Sequence, residues 1–451
     1  MAIGHIAGMD EELLRGVVEA AMKAGATAAE AVFAERAALS VGVRMEALEE
    51  VEREESRELG VRVFVGARQA SVSGSDISND GRARLVERVM AMARLAAEDS
   101  YAGLAPEGCL ARGPYPALEL FDPGEPTAEM LESRARAAEA SALAVEGVTN
   151  SGGGSASWSS SAWRLVTSGG FSGVYQATAS SLSAQAIAGE GAGMEQAGEG
   201  RAKRWADDLP TPEDVGSKAG YRAVAALGAR KIASTTVPVI FENRLSGSLL
   251  GPLIGAISGP SVARGVSFLK DKLGEAVFGQ DIFLTDDPHA ARGLGSSPFD
   301  DEGVANRRVD IIEGGVLATW LLNASAARQL GLETTGHAAR GLAGPPGVGI
   351  SNLTLSTGKE DLGGLMCEAG AGVLVTSMFG PSLNANTGDW SVGCSGHWFE
   401  SGEIAYPVTE ITVAGNLIDI YRRLVPGSDL EIRGRVNAPS ILVDALSVAG
   451  K

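Results

Sequence analysis

The sequence predicts an α+β protein in two parts. An N-terminal α/β domain, with helices on a mixed sheet, is expected over 1–232. A C-terminal β-rich domain, with a mostly antiparallel, barrel-like sheet, is expected over 233–451. Three observations carry this. The chain has 451 residues, too many for one ordinary core. Its 60 glycines and only 5% aromatic residues favour turns and close backbone approaches over a long helical bundle. Near residue 232 the pattern changes from amphipathic helices interleaved with strands to short strands and glycine turns.

The elements follow in chain order. Asp10 is placed to cap a first helix whose inward face is Leu13, Leu14, Val17, Val18 and Ala21. AEAVFAERAALSVGVRMEALEEVE alternates as two strands, and LGVRVFVGARQASVS reads as a hairpin turning near Gly66-Ala67. A second helix covers about 80–98 with Leu85, Val86, Val89, Met90 and Ala93 inward. A Pro/Gly loop precedes a third helix in TAEMLESRARAAEASALAV. The segment 149–200 is rich in Ser, Gly and Ala, yet Trp158, Trp163, Leu165, Val166, Phe171, Val174 and Tyr175 recur through it. A disordered linker would lack them, so antiparallel strands of small residues are expected. Thr211 and Pro212 start another helix. Beyond the boundary come a short strand, an apolar helical segment from about Arg244, and strands in VLVTSMFG and YPVTEITVAG.

Bulk chemistry excludes several classes. A net charge of −18 with scattered basic residues gives no nucleic-acid surface. Cys109, Cys367 and Cys394 are too few for a disulfide framework. MAIGHIAGMDEELL has no basic, apolar leader, and the most apolar window, 248–259, is too short and glycine-rich to span a bilayer. A cytoplasmic protein with no membrane partner is expected.

Chemistry-bearing residues are sparse. A zinc peptidase helix needs two histidines a turn apart with a carboxylate between them, so that both rings share a face and the acid activates water. His5, His289, His337 and His397 include no such pair, and HExxH or HExxxH is absent. Cys394 and His397 stand three apart in GCSGHWFE. They are a candidate reactive pair, or half a zinc site with Cys367 and His337 as remote partners. The competing reading is a buried thiol beside a turn histidine. GHAARGLAGPPGVG at 336–349 matches no phosphate-binding pattern and reads as a mobile surface loop, with His337 an ordinary surface histidine or a groove-lining one. Asp286-Asp287, Asp300-Asp301-Glu302 and Glu49-Glu50 read as solvated charge runs.

The order LLGPLIGAISG, TTGHAARG, NLTLSTG and TGDWSVGCSGHWFESGEIAYPVTEITVAGNL resembles the TldD/PmbA family, within it the PmbA branch, also called TldE. The likeness is close from about 236 to 425 and weaker before it. It implies a cytoplasmic metallopeptidase built from two related subunits. The TldD-type partner carries the HExxxH zinc helix, and the PmbA-type chain has the equivalent helix without ligands. Here that helix corresponds to NRLSGSLLGPLIGAISG from Asn243, in which Pro252 is expected to disturb any helix interior. Relatives of this branch commonly read GASGFW where this chain reads GCSGHW, so Cys394 and His397 occupy positions ordinarily filled by Ala and an aromatic. Gly336, His337, Asn352, Thr387, Gly388 and Asp389 match the family pattern and are expected to shape a loop or cleft facing partner or peptide. Names mentioning DNA gyrase reflect genetic association.

The resemblance therefore implies no catalytic or metal-binding residue and no cofactor in this chain, with zinc in a TldD-type partner. Its substrates would be peptides or unfolded small proteins. A homodimer of the isolated chain is compatible with it. Two rivals stay open: an independent thiol-dependent hydrolase using Cys394 and His397, and a structural homo-oligomer without protease activity.

Overall fold

The computed structural model describes residues 6–451; His5 lies outside the described residues. The first half is built on a six-stranded sheet of β1 (Ala28–Arg44), β2 (Ala47–Val65), β3 (Arg68–Gly74), β4 (Val148–Thr167), β5 (Ser172–Ala188) and β6 (Glu195–Lys203), in the order β3-β2-β1-β4-β5-β6. Every pairing in it is antiparallel, which corrects the mixed sheet expected for this part. The reason is local. Met45-Glu46 and Gly66-Ala67 turn the chain within two residues, and connections that short join only antiparallel neighbours. The Ser- and Gly-rich segment forms two of the longest strands, as its recurring large residues predicted.

Four helices flank the sheet: α1 (Ile6–Lys23), α2 (Asn79–Leu95), α3 (Ala128–Leu143) and α4 (Pro212–Ala225). Ser78, Thr127 and Thr211 cap the last three through their hydroxyls. Asp10 lies inside α1 rather than ahead of it. The helices share one sheet face. Ala29, Ala31 and Phe33 of β1 pack under α1 and α2, while Ala37, Leu39, Val41 and Val43 pack under α3 and α4. All seven are odd-numbered, and a strand sends alternate side chains to opposite faces. Small residues let α3 sit close: a side chain at Gly154 would collide with the Ala135 carbonyl, and one at Gly216 with that of Ala138. The opposite face carries Glu30, Val32 and Leu165 and meets Ala111, Phe299 and Leu342.

The second half opens with β7 (Thr235–Phe241), followed by the short helices α5 (Asn243–Ser246), α6 (Leu250–Ala256) and α7 (Gly259–Ala263). Then come β8 (Leu284–Asp286), β9 (Val309–Glu313), β10 (Val316–Leu317), α8 (Ala324–Leu330), β11 (Ala338–Ala339), β12 (Gly347–Val348) and β13 (Leu353–Leu355). The chain ends with α9 (Leu362–Ala369), β14 (Ala371–Leu383), β15 (Asp389–Glu400), β16 (Glu403–Asn416), α10 (Leu417–Arg423), β17 (Val425–Pro426), β18 (Val436–Asn437) and β19 (Ile441–Ala449).

Strands β7, β14, β15, β16 and β19 pair in a ring, because β16 also pairs with β19 and closes the sheet into a five-stranded barrel. Only β7–β14 is parallel in it, so the barrel is mostly antiparallel, as expected. Alternation fills it: Val239, Phe241, Val373, Val375, Val392, Cys394 and Val413 join the main core, with Leu249, Leu250 and Leu253 from the helical segment. Ile240, Leu374, Phe399 and Leu442 point outward under Leu365 and Met366 of α9. A second sheet, β10-β9-β8-β13-β18, abuts it. Among the described residues no helix is long and apolar enough to cross a membrane.

Candidate functional site

Strand β7 ends at Phe241, and the chain peels off the barrel into α5, a single 3-10 turn (Gly247–Leu249) and α6. The continuous helix expected from Arg244 to Gly259 is thus broken into pieces. Pro252 falls in the first turn of α6, where the missing N–H would have had no partner anyway, so it is tolerated rather than disruptive. Leu249, Leu250 and Leu253 are fully buried, and the Tyr421 hydroxyl donates to the Leu249 carbonyl at 2.9 Å. These contacts fix the segment against the barrel. Its other face shows Ser248, Gly251 and Gly255, whose small or absent side chains leave one wall of a groove of about 540 Å³. Met378, Leu383 and Trp390 of β14 and β15 form the opposite wall.

Thr387, Gly388 and Asp389 close the end of that wall. The Thr387 hydroxyl donates to the Asp389 carboxylate at 2.7 Å, and the Asn416 amide donates to its other oxygen at 3.0 Å. Together these bonds hold the exposed Asp389 carboxyl below its ordinary value, Thr387 first. Gly388 has φ +81°, and a side chain there would press at 3.3 Å on Phe268, which lines the groove.

Gly336, His337 and Asn352 lie together elsewhere, at the seam between the two halves. His337 is buried rather than on the surface. Its Nδ1 lies 2.8 Å from the Thr335 hydroxyl and its Nε2 lies 3.3 Å from Asp286 Oδ2. Asp286 is fully buried and also accepts the Ser351 N–H at 3.0 Å. Asn352 spans the neighbouring loop, donating to the Asp287 carbonyl at 2.6 Å and accepting from the Gly295 N–H at 2.9 Å. The structure therefore brings these three residues together and sets Thr387–Asp389 apart from them. Residues 336–349 form a loop tied by the β11–β12 pair, not a free one.

The acidic runs divide. Glu49 and Glu50 are exposed as expected, but Asp286, Asp300 and Glu302 are buried. Asp300 caps a tight turn, accepting the Glu302, Val304 and Ala338 N–H groups. Burial, with the Glu302 charge beside it, pushes its carboxyl well above the ordinary value. Burial likewise raises Asp301 to about 6 and raises Glu302. Charge patterning alone could not separate these acids from solvated ones, because backbone donors brought by the turn satisfy them.

Cys394 and His397 do not meet. Three residues apart on strand β15, they point to opposite faces: Cys394 joins the barrel core, while His397 faces α4. The thiol is fully buried in the barrel, where desolvation raises it to about 12. The imidazole lies outside, with Nε2 3.1 Å from the Ala225 carbonyl of α4. Among the described residues no three His, Cys, Asp or Glu side chains gather as a metal site.

Three family domains match this chain: the PmbA/TldA metallopeptidase domain 1 over 29–93, the central domain over 121–227, and the C-terminal domain over 234–450. The Metalloprotease PmbA of Escherichia coli O157:H7 is 38% identical over 94% of this chain and 92% of its own length. The chain belongs to the PmbA/TldD metallopeptidase family. The Metalloprotease PmbA homolog of Haemophilus influenzae is 35% identical over 98% of this chain and 97% of its own. A solved structure from Bacteroides thetaiotaomicron, described as a candidate modulator of DNA gyrase, superposes with TM-score 0.91 and 27% identity over 98% of this chain and 99% of its own. TldE of Thermococcus kodakarensis shares the fold, with TM-score 0.86 and 20% identity over 97% of this chain and 99% of that one.

A metallopeptidase family implies a metal, so the donor set matters. Residues 243–259 contain no His, Cys, Asp or Glu, and the groove beside them is walled mainly by apolar side chains. That chemistry does not fit a zinc ion. Sequence reasoning missed the groove itself. Phe268, Met378 and Trp390 sit on segments far apart in the chain, and no local pattern announces that they converge.

Proposed function

We propose that this chain is the PmbA/TldE-type subunit of a cytoplasmic two-component zinc peptidase, organised as two units dividing near residue 232. It pairs with a TldD-type chain that supplies the metal and the hydrolytic step. Its own part is to complete the chamber and hold peptide or unfolded-protein chains. The observation that carries the reading is the segment 243–259: it packs on the barrel end and faces a groove, yet offers that groove no metal-binding side chain. An apolar groove rimmed by the Thr387–Asp389 turn suits side chains of an extended peptide. The test mixes the purified chain with and without a TldD-type subunit, then measures zinc content and cleavage of an unstructured peptide. Zinc and turnover are expected only in the mixture. Stoichiometric zinc and turnover by this chain alone would overturn the reading.

A further inference from the structure

Between the N-terminal sheet and the second half lies a polar cavity of about 350 Å³, distinct from the apolar groove. Such a volume accommodates a small molecule or one end of a larger one. Arg204, Arg340 and Arg435 line it. Arg340 has a counter-charge in Glu30. Arg204 and Arg435 have no direct ion-pair partner among the described residues, although the Asp301 carboxylate attracts Arg435 through space. Arg204 donates only to backbone carbonyls, those of Thr178 at 3.1 Å, Gly293 at 3.2 Å and Leu294 at 2.6 Å. Arg435, at the mouth, donates to the carbonyls of Ser351 at 3.3 Å and Ile350.

Among the described residues neither guanidinium makes an ion pair, and they lie close enough to repel one another. Arg204, unlike the exposed Arg435, is partly desolvated; an unpaired charge there is costly, and a bound counter-ion relieves it. Tyr175 lines the same cavity; its backbone pairs with Trp163 in the sheet, while its hydroxyl makes no hydrogen bond to another described residue. Burial keeps its hydroxyl protonated, hence a donor. On the opposing side, Asp300 spends its carboxylate oxygens on the Glu302, Val304 and Ala338 N–H groups, and His337 is already engaged by Asp286 and Thr335. Asp301, which accepts the Arg340 N–H at 2.8 Å, is the acid whose charge opposes an anion there.

We propose that this cavity binds a small oxyanion, a carboxylate or phosphate group, between the guanidinium groups of Arg204 and Arg435 with the Tyr175 hydroxyl as a further donor. Arginine suits such a group because its planar fork donates two parallel bonds to paired oxygens. The site is independent of the peptidase reading, since it requires no partner chain and no peptide.

The experiment is calorimetric titration of the full chain with sodium phosphate and, separately, sodium acetate at constant ionic strength. Saturable one-site binding of at least one is expected, and the one that binds assigns the oxyanion. Arg435→Gln should weaken binding by at least about tenfold, the effect of one charge-assisted hydrogen bond. Asp301→Asn should tighten it severalfold, because it removes the opposing charge and keeps an acceptor for the Arg340 N–H. Arg308→Gln, in the neighbouring cavity, should leave it unchanged. Arg435 is exposed, so its variant is expected to fold, and circular dichroism checks that. Absence of saturable binding by either anion overturns the proposal. So does a wild-type affinity in Arg435→Gln, or a loss that follows Arg308→Gln instead.

Discussion

Glu30 of β1 and Arg62 of β2 stand directly opposite in the sheet register, with the Arg62 Nη1 3.2 Å from the Glu30 carboxylate and both side chains buried. The same carboxylate accepts Arg340 from the second half, so one acid joins two guanidinium groups across the seam. The Gln69 side chain takes two further Arg62 donors, at 3.0 and 2.8 Å. A network with this many partners can offset much of the desolvation of its charges, although the buried Arg340 Nη2 has no partner; losing the acid leaves two buried cations.

Glu30→Gln is therefore expected to cost about 3–5 kcal/mol of stability, the usual penalty for breaking a buried ion pair. Urea denaturation measures it. A loss below about 1 kcal/mol, the range of exposed pairs, would show that the seam does not depend on this acid.

Three acids at the seam, two of them buried and Asp301 half-buried, make stability depend on pH in an unusual direction. Asp301 is raised from 3.8 to about 6, and Asp300 and Glu302 are also raised, all chiefly by burial. An acid with a raised folded value binds its proton more tightly when folded. Its contribution is full below the unfolded value and is lost as pH rises through the folded one. Asp301 alone accounts for about 3 kcal/mol across roughly pH 4 to 6. Lowered acids such as Asp76, Glu129 and Asp389 act oppositely, but they are exposed and screened. Urea midpoints should thus be higher at pH 5 than at pH 8, with a smaller difference in Asp301→Asn. A midpoint that rises with pH in both proteins contradicts the assignment.

Much of this was legible in the sequence. Periodicity marked the buried faces of the helices, and Ser78, Thr127 and Thr211 stand where caps are needed. The recurrence of Trp158, Leu165 and Phe171 exposed β4 and the β4–β5 turn within a low-complexity stretch. What the sequence hides is whatever depends on distant segments meeting. Asp300 and Glu302 look solvated because the N–H groups that satisfy them come from a turn and from residues 324 and 338. Cys394 and His397 look paired because spacing along the chain is visible, whereas their opposite orientation follows only once both are placed on strand β15. Arg204 and Arg435 carry no local mark at all.

The thiols should react according to burial. Cys367 is exposed, Cys109 half-buried, and Cys394 fully buried with its thiol at about 12. Only the thiolate is nucleophilic, so iodoacetamide at pH 8 should label Cys367 first and Cys394 only after denaturation, read by peptide mass spectrometry. Cys394→Ala should leave the activity of the assembled complex unchanged. Rapid native labelling of Cys394, or lost turnover in a folded Cys394→Ala, would revive the thiol hydrolase.

The groove can be closed without disturbing the barrel. Gly255 lies in α6, and a side chain built there meets no atom within 4 Å, so the space beyond it is the groove itself. Glycine inside a helix is also unfavourable by about 0.5–1 kcal/mol relative to alanine. Gly255→Leu should therefore fold with an unchanged or slightly raised melting temperature while filling the wall opposite Met378 and Trp390. If extended peptides use this groove, the complex formed with a TldD-type subunit should bind zinc normally and yet cleave an unstructured peptide at least about tenfold more slowly. Separating assembly from cleavage matters here, because size-exclusion chromatography reports whether the variant still pairs. Normal pairing with normal cleavage would remove the groove from the peptide path, whereas failed pairing would make it part of the subunit contact.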